Sequence, residues 1–258
     1  MKEQALEIQG IRVSYKIAGE GPAVFILHGW GRGSDSWAEV QEALSRKGYL
    51  VVAPDLPGFG RTRVPQSAWG IAEYADFVLQ FANKLGVDKF VLLGHSFGGQ
   101  VAAYIAATHP ARIEKLILCA PAAIRREPGP KEVCAKYIAK SGAFMCTFIP
   151  SEGLRRFLRK VFASILGRSD YLQAPGIMRK VMEKVIREDL SAIFVNITAN
   201  TLLVWGEKDR PVPLEDAYFM EKRLPHSVLR VIPGVGHRVH REVPEKLTEF
   251  IVQFLQAP

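Results

Sequence analysis

Short apolar runs recur along the chain, separated by stretches with helical periodicity. ALEIQG (5–10) and IRVSYKIAG (11–19) alternate apolar and polar positions and are split by a glycine, the pattern of a β-hairpin. AVFILHG (23–29), YLVVAPDLPG (49–58) and FVLL (90–93) predict buried strands, and KLILCAP (115–121), TLLVWGEKD (201–209) and VLRVIPG (228–234) predict further strands. Between them, SDSWAEVQEALSRKG (34–48), SAWGIAEYADFVLQFANKLG (67–86), QVAAYIAATHP (100–110), PLEDAYFMEKRL (213–224) and PEKLTEFIVQFL (244–255) predict helices. A serine or aspartate at the start of the first of these is expected to act as its N-cap.

Strands that alternate with helices imply an α/β fold, a mostly parallel sheet with helices on both faces. The rhythm breaks at Ala122, and strand signals return only near Asn200. Residues 1–121 and 200–258 therefore read as one core, and 122–199 as an inserted helical cap.

Composition agrees with one globular unit. The chain has 258 residues, of which 48% are hydrophobic and 23% charged. No stretch reaches the length of uncharged apolar residues that a membrane span needs, and the start, MKEQALEIQG, lacks the apolar centre of a signal peptide. Cys119, Cys134 and Cys146 are odd in number and at no metal-binding spacing, so they read as reduced packing residues. A cytoplasmic location is the expectation.

The net charge of +8 is unevenly placed: from Arg125 to Asp189 there are 14 Lys and Arg against 7 Asp and Glu. Within that segment, GLRRFLRKVFASIL (153–166) sets Leu154, Phe157, Leu158, Val161, Phe162, Ile165 and Leu166 on one helical stripe. Arg155, Arg156, Arg159 and Lys160 fall off it. The first reading is a cap helix with its apolar face on the mouth of a substrate site and its arginines in water; a surface that attracts anionic substrates or anionic lipid is the second. No motif that reads DNA or RNA accompanies the charge, so a nucleic-acid partner is not expected.

Candidate chemistry begins at FVLLGHSFGG (90–99). A buried strand runs into Ser96 and a helix follows, with Gly94 and Gly98 removing side chains where such a turn is crowded. This is the layout of a nucleophile elbow, which exposes a serine hydroxyl beside the free N–H groups of a helix start. Ligands of parallel sheets sit beyond the carboxyl ends of the strands. At those ends lie His28-Gly29-Trp30, Asp55, Ser96, Asp209 and His237. A serine needs a base, and a histidine base needs a carboxylate to hold its tautomer; Ser96, His237 and Asp209 are of the required types. The backbone N–H groups of Trp30 and Phe97 are placed to receive an oxyanion. Asp55 has no proton-transfer partner in this scheme and reads as structural. His28 and Gly29 support the oxyanion loop, and His240 reads as a rim residue.

HGWGRGSDSW, DLPGFGRT, GHSFGG, LLVWGEKDRPVP and GVGH, in that order, resemble the motifs of α/β-hydrolases, specifically serine esterase-like members with a helical cap. The resemblance implies Ser96 as nucleophile, Asp209 as acid, His237 as base, and Trp30 and Phe97 as oxyanion-hole donors. Some relatives carry the acid after the strand that follows the nucleophile helix; here that position reads CAPAAI, without a carboxylate. The resemblance implies a carboxylesterase acting on a small-molecule ester, with no metal or organic cofactor. Phe144, Met145, Phe148 and Phe162 are expected pocket walls. The same triad also serves carbon–carbon bond hydrolases of ring-cleavage products, and some members of the fold are ligand receptors. The segment after His237, RVHREVPE, lacks the tryptophan associated with the carbon–carbon hydrolases.

Overall fold

The computed structural model describes residues 1–126, 151–154 and 176–257. Eight strands form one sheet: β1 (Lys2–Ile8), β2 (Ile11–Ala18), β3 (Ala23–Leu27), β4 (Leu50–Pro54), β5 (Phe90–His95), β6 (Ile113–Cys119), β7 (Thr201–Gly206) and β8 (Ser227–Ile232). Their order is β1-β2-β4-β3-β5-β6-β7-β8. The β1–β2 and β2–β4 pairs are antiparallel, and every other pair is parallel. The alternating hairpin at the start thus forms the antiparallel edge, and the apolar runs form the parallel body.

The helices are α1 (Ala38–Ser45), α2 (Ile71–Lys84), α3 (Phe97–Thr108), α4 (Ile177–Val185), α5 (Leu214–Glu221) and α6 (Pro244–Gln256), with a single helical turn at Val239–Glu242. Successive residues of a strand face opposite sides of the sheet, and the core divides accordingly. Val24, Ile26, Val51, Leu93 and Ile117 pack with Leu44 of α1 and Leu247 and Ile251 of α6. Phe25, Leu27, Val52, Leu92 and Leu116 pack with α2 and α3 on the other face. Burial on both faces explains why these strands show no polar alternation.

The expected serine or aspartate cap of α1 is not formed. A tight turn, Ser34–Trp37, precedes the helix, and no side chain caps it. Asp35 is instead paired with Lys16 and Arg61, and Ser34 is buried with its N–H on Asp55. Strong charge partners have outcompeted the backbone for that carboxylate.

Of the segment 122–199, the described parts lie against the core. Val181 and Val185 of α4, with Phe194 and Ile197, are buried in the same apolar cluster as α3. Gln100 of α3 donates to the carbonyls of Val185 and Glu188, and Glu188 accepts the N–H of Ile71. No strand occurs among the described residues of this segment. Phe144, Met145, Phe148 and Phe162 lie outside the described residues, as do Arg155, Arg156, Arg159, Lys160, Cys134 and Cys146.

Candidate active site

The chain leaves β3 toward β4 on one side, then returns to place β5 on the other. A crevice opens at the carboxyl ends of strands where the order reverses in this way. β3 ends at His28-Gly29-Trp30, and β5 ends at Ser96.

Ser96 sits at φ 52° and ψ −115°, a left-handed conformation that few side chains adopt. The turn is held by close backbone approaches. A Cβ at Gly94 would stand 2.4 Å from the carbonyl oxygen of Gly98, and one at Gly98 would stand 2.3 Å from that of Leu27. The Ser96 N–H donates to Cys119 O, and the Ser96 carbonyl accepts from Gln100 and Ala122. Phe97 opens α3, so its N–H has no intrahelical acceptor. Among the described residues, neither this N–H nor that of Trp30 donates to a loop or turn carbonyl.

His237 and Asp209 meet across a 2.7 Å hydrogen bond from Nδ1 to Oδ2. The Asp209 carboxylate is inaccessible to solvent, and its Oδ1 accepts the Val212 N–H at 2.9 Å. Both carboxylate oxygens are thereby fixed, leaving His237 Nε2 as the nitrogen that faces outward. Ser96 and His237 line one cavity of about 450 Å³. No hydrogen bond joins their side chains, whereas His237 and Asp209 are bonded. The loops that carry Asp209 and His237 are tied together: the N–H groups of Glu207 and Lys208 donate to Ile232 O and Val235 O. A Cβ at Gly206 would collide with Gly236 O at 2.2 Å.

The supporting residues are fixed by burial. His28 Nε2 accepts the N–H of Leu56 at 3.0 Å, so its proton sits on Nδ1, which donates to Gly29 O at 2.9 Å. Burial lowers its pKa and keeps it neutral. Gly29 is glycine for a steric reason: a Cβ would stand 2.8 Å from His95 Nδ1. Asp55 is buried and accepts N–H groups from Ser34 at 2.6 Å and Arg61 at 2.8 Å, clasping two loops beneath the site. The rings of Trp30, Phe59 and Phe97 meet edge-on or tilted at centroid distances of 4.8 to 5.8 Å, which packs Trp30, a residue of the cavity lining, onto the apolar core.

His240 lines the cavity of Ser96 and His237 but is not an exposed rim residue. It is buried and stacks on Trp37 with centroids 4.3 Å apart and planes 9° from parallel. Burial, followed by the charges of His237, Arg241, Arg238 and Arg32, pushes its pKa down to about 3. His95 went unremarked in the sequence pattern. Its ring is buried between His237 and His240, at 4.7 and 4.6 Å. Burial and then those two neighbours hold it well below the ordinary histidine range. Glu242 was also missed; its carboxylate accepts the N–H groups of Gly236 at 2.8 Å and Arg238 at 3.1 Å, bracketing His237. A glutamate on the first turn after a loop is a capping signal that sequence alone offers. Cys119 is fully buried, and burial raises its thiol pKa, so it stays protonated as a packing residue.

Among the described residues, no helix is long and apolar enough to cross a membrane. Known proteins share this architecture. The pimeloyl-[acyl-carrier protein] methyl ester esterase of Nitrosospira multiformis is 29% identical, over 92% of this chain and 95% of its own. The 2-hydroxy-6-oxo-6-phenylhexa-2,4-dienoate hydrolase of Burkholderia cepacia is 28% identical, over 96% of this chain and 92% of its own. A thermophilic esterase structure from Thermogutta terrifontis superposes with a TM-score of 0.75 at 27% identity, covering 99% of this chain and 98% of that one. A family model described as the alpha/beta hydrolase fold matches residues 22–242, from the start of β3 through the loop that carries His237. With the sheet order, the strained serine turn and that match in agreement, the chain belongs to the α/β-hydrolase family.

Proposed function

We propose that the protein is a serine carboxylesterase that hydrolyses small esters through an acyl-enzyme. The observation that carries this reading is the 2.7 Å His237–Asp209 bond in a cavity shared with the strained Ser96. In the mechanism, His237 Nε2 removes the Ser96 proton as Oγ attacks the ester carbonyl. Asp209 keeps the proton of His237 on Nδ1 and stabilises the imidazolium that forms. The N–H groups of Trp30 and Phe97 receive the negative charge of the tetrahedral intermediate. Collapse expels the alcohol, which takes the proton from His237. Water then repeats the sequence on the acyl-enzyme and releases the acid. The indole of Trp30, which lines the cavity, favours a hydrophobic acyl part.

A second reading, hydrolysis of a carbon–carbon bond in a ring-cleavage product, draws support from the Burkholderia relative. One comparison separates the two. Nitrophenyl esters from acetate to palmitate and a dienoate ring-cleavage product are assayed side by side with the wild type and Ser96→Ala. Steady ester turnover that peaks at one chain length and is lost in the variant is the expected result. Turnover of the dienoate with none of any ester would replace the esterase reading. Binding without turnover of either would point to a receptor.

A further inference from the structure

Three arginines converge on the cavity that holds Ser96 and His237: Arg32, two residues past Trp30, and Arg238 and Arg241, which follow the base. All three are exposed, and none has a carboxylate partner among the described residues. Arg46, Arg61, Arg112 and Arg126 elsewhere are each paired with an acid, whereas Arg12, Arg63, Arg210, Arg223 and Arg230 have no ion pair among the described residues, so the shared cavity is what sets these three apart. Their charges act on one another's surroundings, since all three depress the proton affinity of His240 in the same cavity. Glu242 is the acid that lines this cavity among the described residues; it accepts the backbone N–H groups of Gly236 and Arg238 and offsets one of the three positive charges, so the lining stays net positive. Guanidinium groups stay charged at all working pH values, and they fork onto carboxylates and phosphates. Three of them lining one cavity against a single carboxylate give it a net positive potential, which favours a bound anion.

We propose that Arg32, Arg238 and Arg241 form an anion subsite, so that the preferred substrate is an ester carrying a carboxylate or phosphate group near the reacting bond. The proposal rests on the esterase reading above and names its substrate class. It differs from the basic stretch at residues 153–166, which the net-charge pattern singled out: these arginines are far apart in sequence from it and flank the nucleophile's own cavity.

The test compares matched ester pairs in kcat/KM. Nitrophenyl hydrogen glutarate against nitrophenyl pentanoate places the charge on the acyl side. Carboxyphenyl butyrate against phenyl butyrate places it on the alcohol side, and phosphate in place of the carboxylate distinguishes the two anion types. At low ionic strength the anionic member of at least one pair is preferred about fivefold or more, and the ratio falls below about twofold in 0.5 M salt, where charges more than a few ångströms apart are screened. In the triple variant Arg32→Gln, Arg238→Gln, Arg241→Gln the same ratio collapses toward one. An equal ratio in wild type and triple variant, for every pair, overturns the proposal. A second readout is independent of turnover: calorimetric binding of monomethyl glutarate to Ser96→Ala protein, with and without the three arginines. Binding that weakens about tenfold when they are replaced supports the subsite even if no ester is hydrolysed, in which case the esterase reading alone fails. No binding, or binding indifferent to the arginines, removes it.

Discussion

His95 donates its Nε2–H to the main-chain carbonyl of His237 across 2.8 Å, so the residue before Ser96 holds the loop of His237. The carbonyl can only accept, which puts the ring proton on Nε2 and leaves Nδ1 as a buried lone pair without a partner. A buried unpaired nitrogen is costly, and it is tolerated here because the ring cannot turn without losing the bond to His237. The same nitrogen lies where a side chain on residue 29 would stand, which couples the oxyanion loop to the base through one imidazole.

His95 is accordingly a positioning residue. His95→Phe preserves the packing and removes the donor, and kcat is expected to fall about tenfold, the equivalent of one lost hydrogen bond. His95→Gln keeps an N–H donor and recovers part of the loss. Kinetics of both variants, with the pH profile of kcat, check this; a role in packing alone would leave the profile of the Phe variant unchanged and would show no rescue by Gln.

Asp209→Asn keeps an acceptor for the Val212 N–H but offers His237 Nδ1 a donor instead of a carboxylate. The imidazole is driven to the wrong tautomer. The expected drop in kcat is roughly 10⁴-fold, the loss that the same change causes in a serine protease triad. Thermal unfolding should shift far less than activity, and a variant with near-normal kcat would remove Asp209 from the mechanism.

Gly98→Ala is expected to be poorly tolerated although it adds one carbon. Its Cβ would meet three main-chain atoms of Leu27 and His28 within 2.6 Å, and backbone cannot rotate away as a side chain can. A destabilisation of about 3 kcal/mol or more is anticipated from such a clash, or a displaced elbow with the hydroxyl of Ser96 out of reach. Denaturant unfolding and kcat distinguish the two, and an unaffected variant would contradict the packing described for β3 against α3.

Acid should weaken the fold through its buried histidines. An unfolded chain exposes imidazoles that take up protons near pH 6.5, whereas the folded chain holds His240 neutral down to about pH 3 and His95 well below the ordinary range. Between those limits the unfolded state binds more protons. Stability is therefore complete above about pH 7 and declines as pH falls, by at most about 1.4 kcal/mol per pH unit for each such histidine. His240→Phe retains the stack on Trp37 and removes one titrating ring. Its melting temperature should fall less steeply than that of the wild type between pH 7 and pH 4.5; parallel slopes would show that His240 is not kept neutral by the fold.

Much of this arrangement is local and therefore legible. Each parallel strand is a short apolar run, and the polar residue that follows it lands at the carboxyl edge whatever the rest of the chain does. The placement of Ser96, Asp209 and His237 at that edge was legible on that basis, and so was the crowding at Gly94 and Gly98, because a sharp turn announces its crowding in adjacent positions. The cap of α1 was misjudged because Asp35 meets Lys16 from the hairpin and Arg61 from a distant loop. His240 was misjudged for a similar reason. Three residues past the base it looks peripheral, and only the ring of Trp37, carried in from the other end of the chain, buries it.

The sequence by itself determined the order of strands and helices, the strained serine turn and the residue types at the sheet edge, since each follows from periodicity or turn chemistry within about ten neighbouring positions. Tertiary structure alone decided which histidine is held neutral, which nitrogen of His28 and His95 carries the proton, and that three arginines from two loops share one cavity. Those properties depend on burial and on charges brought together across the sheet, and neither is encoded in any single stretch of chain.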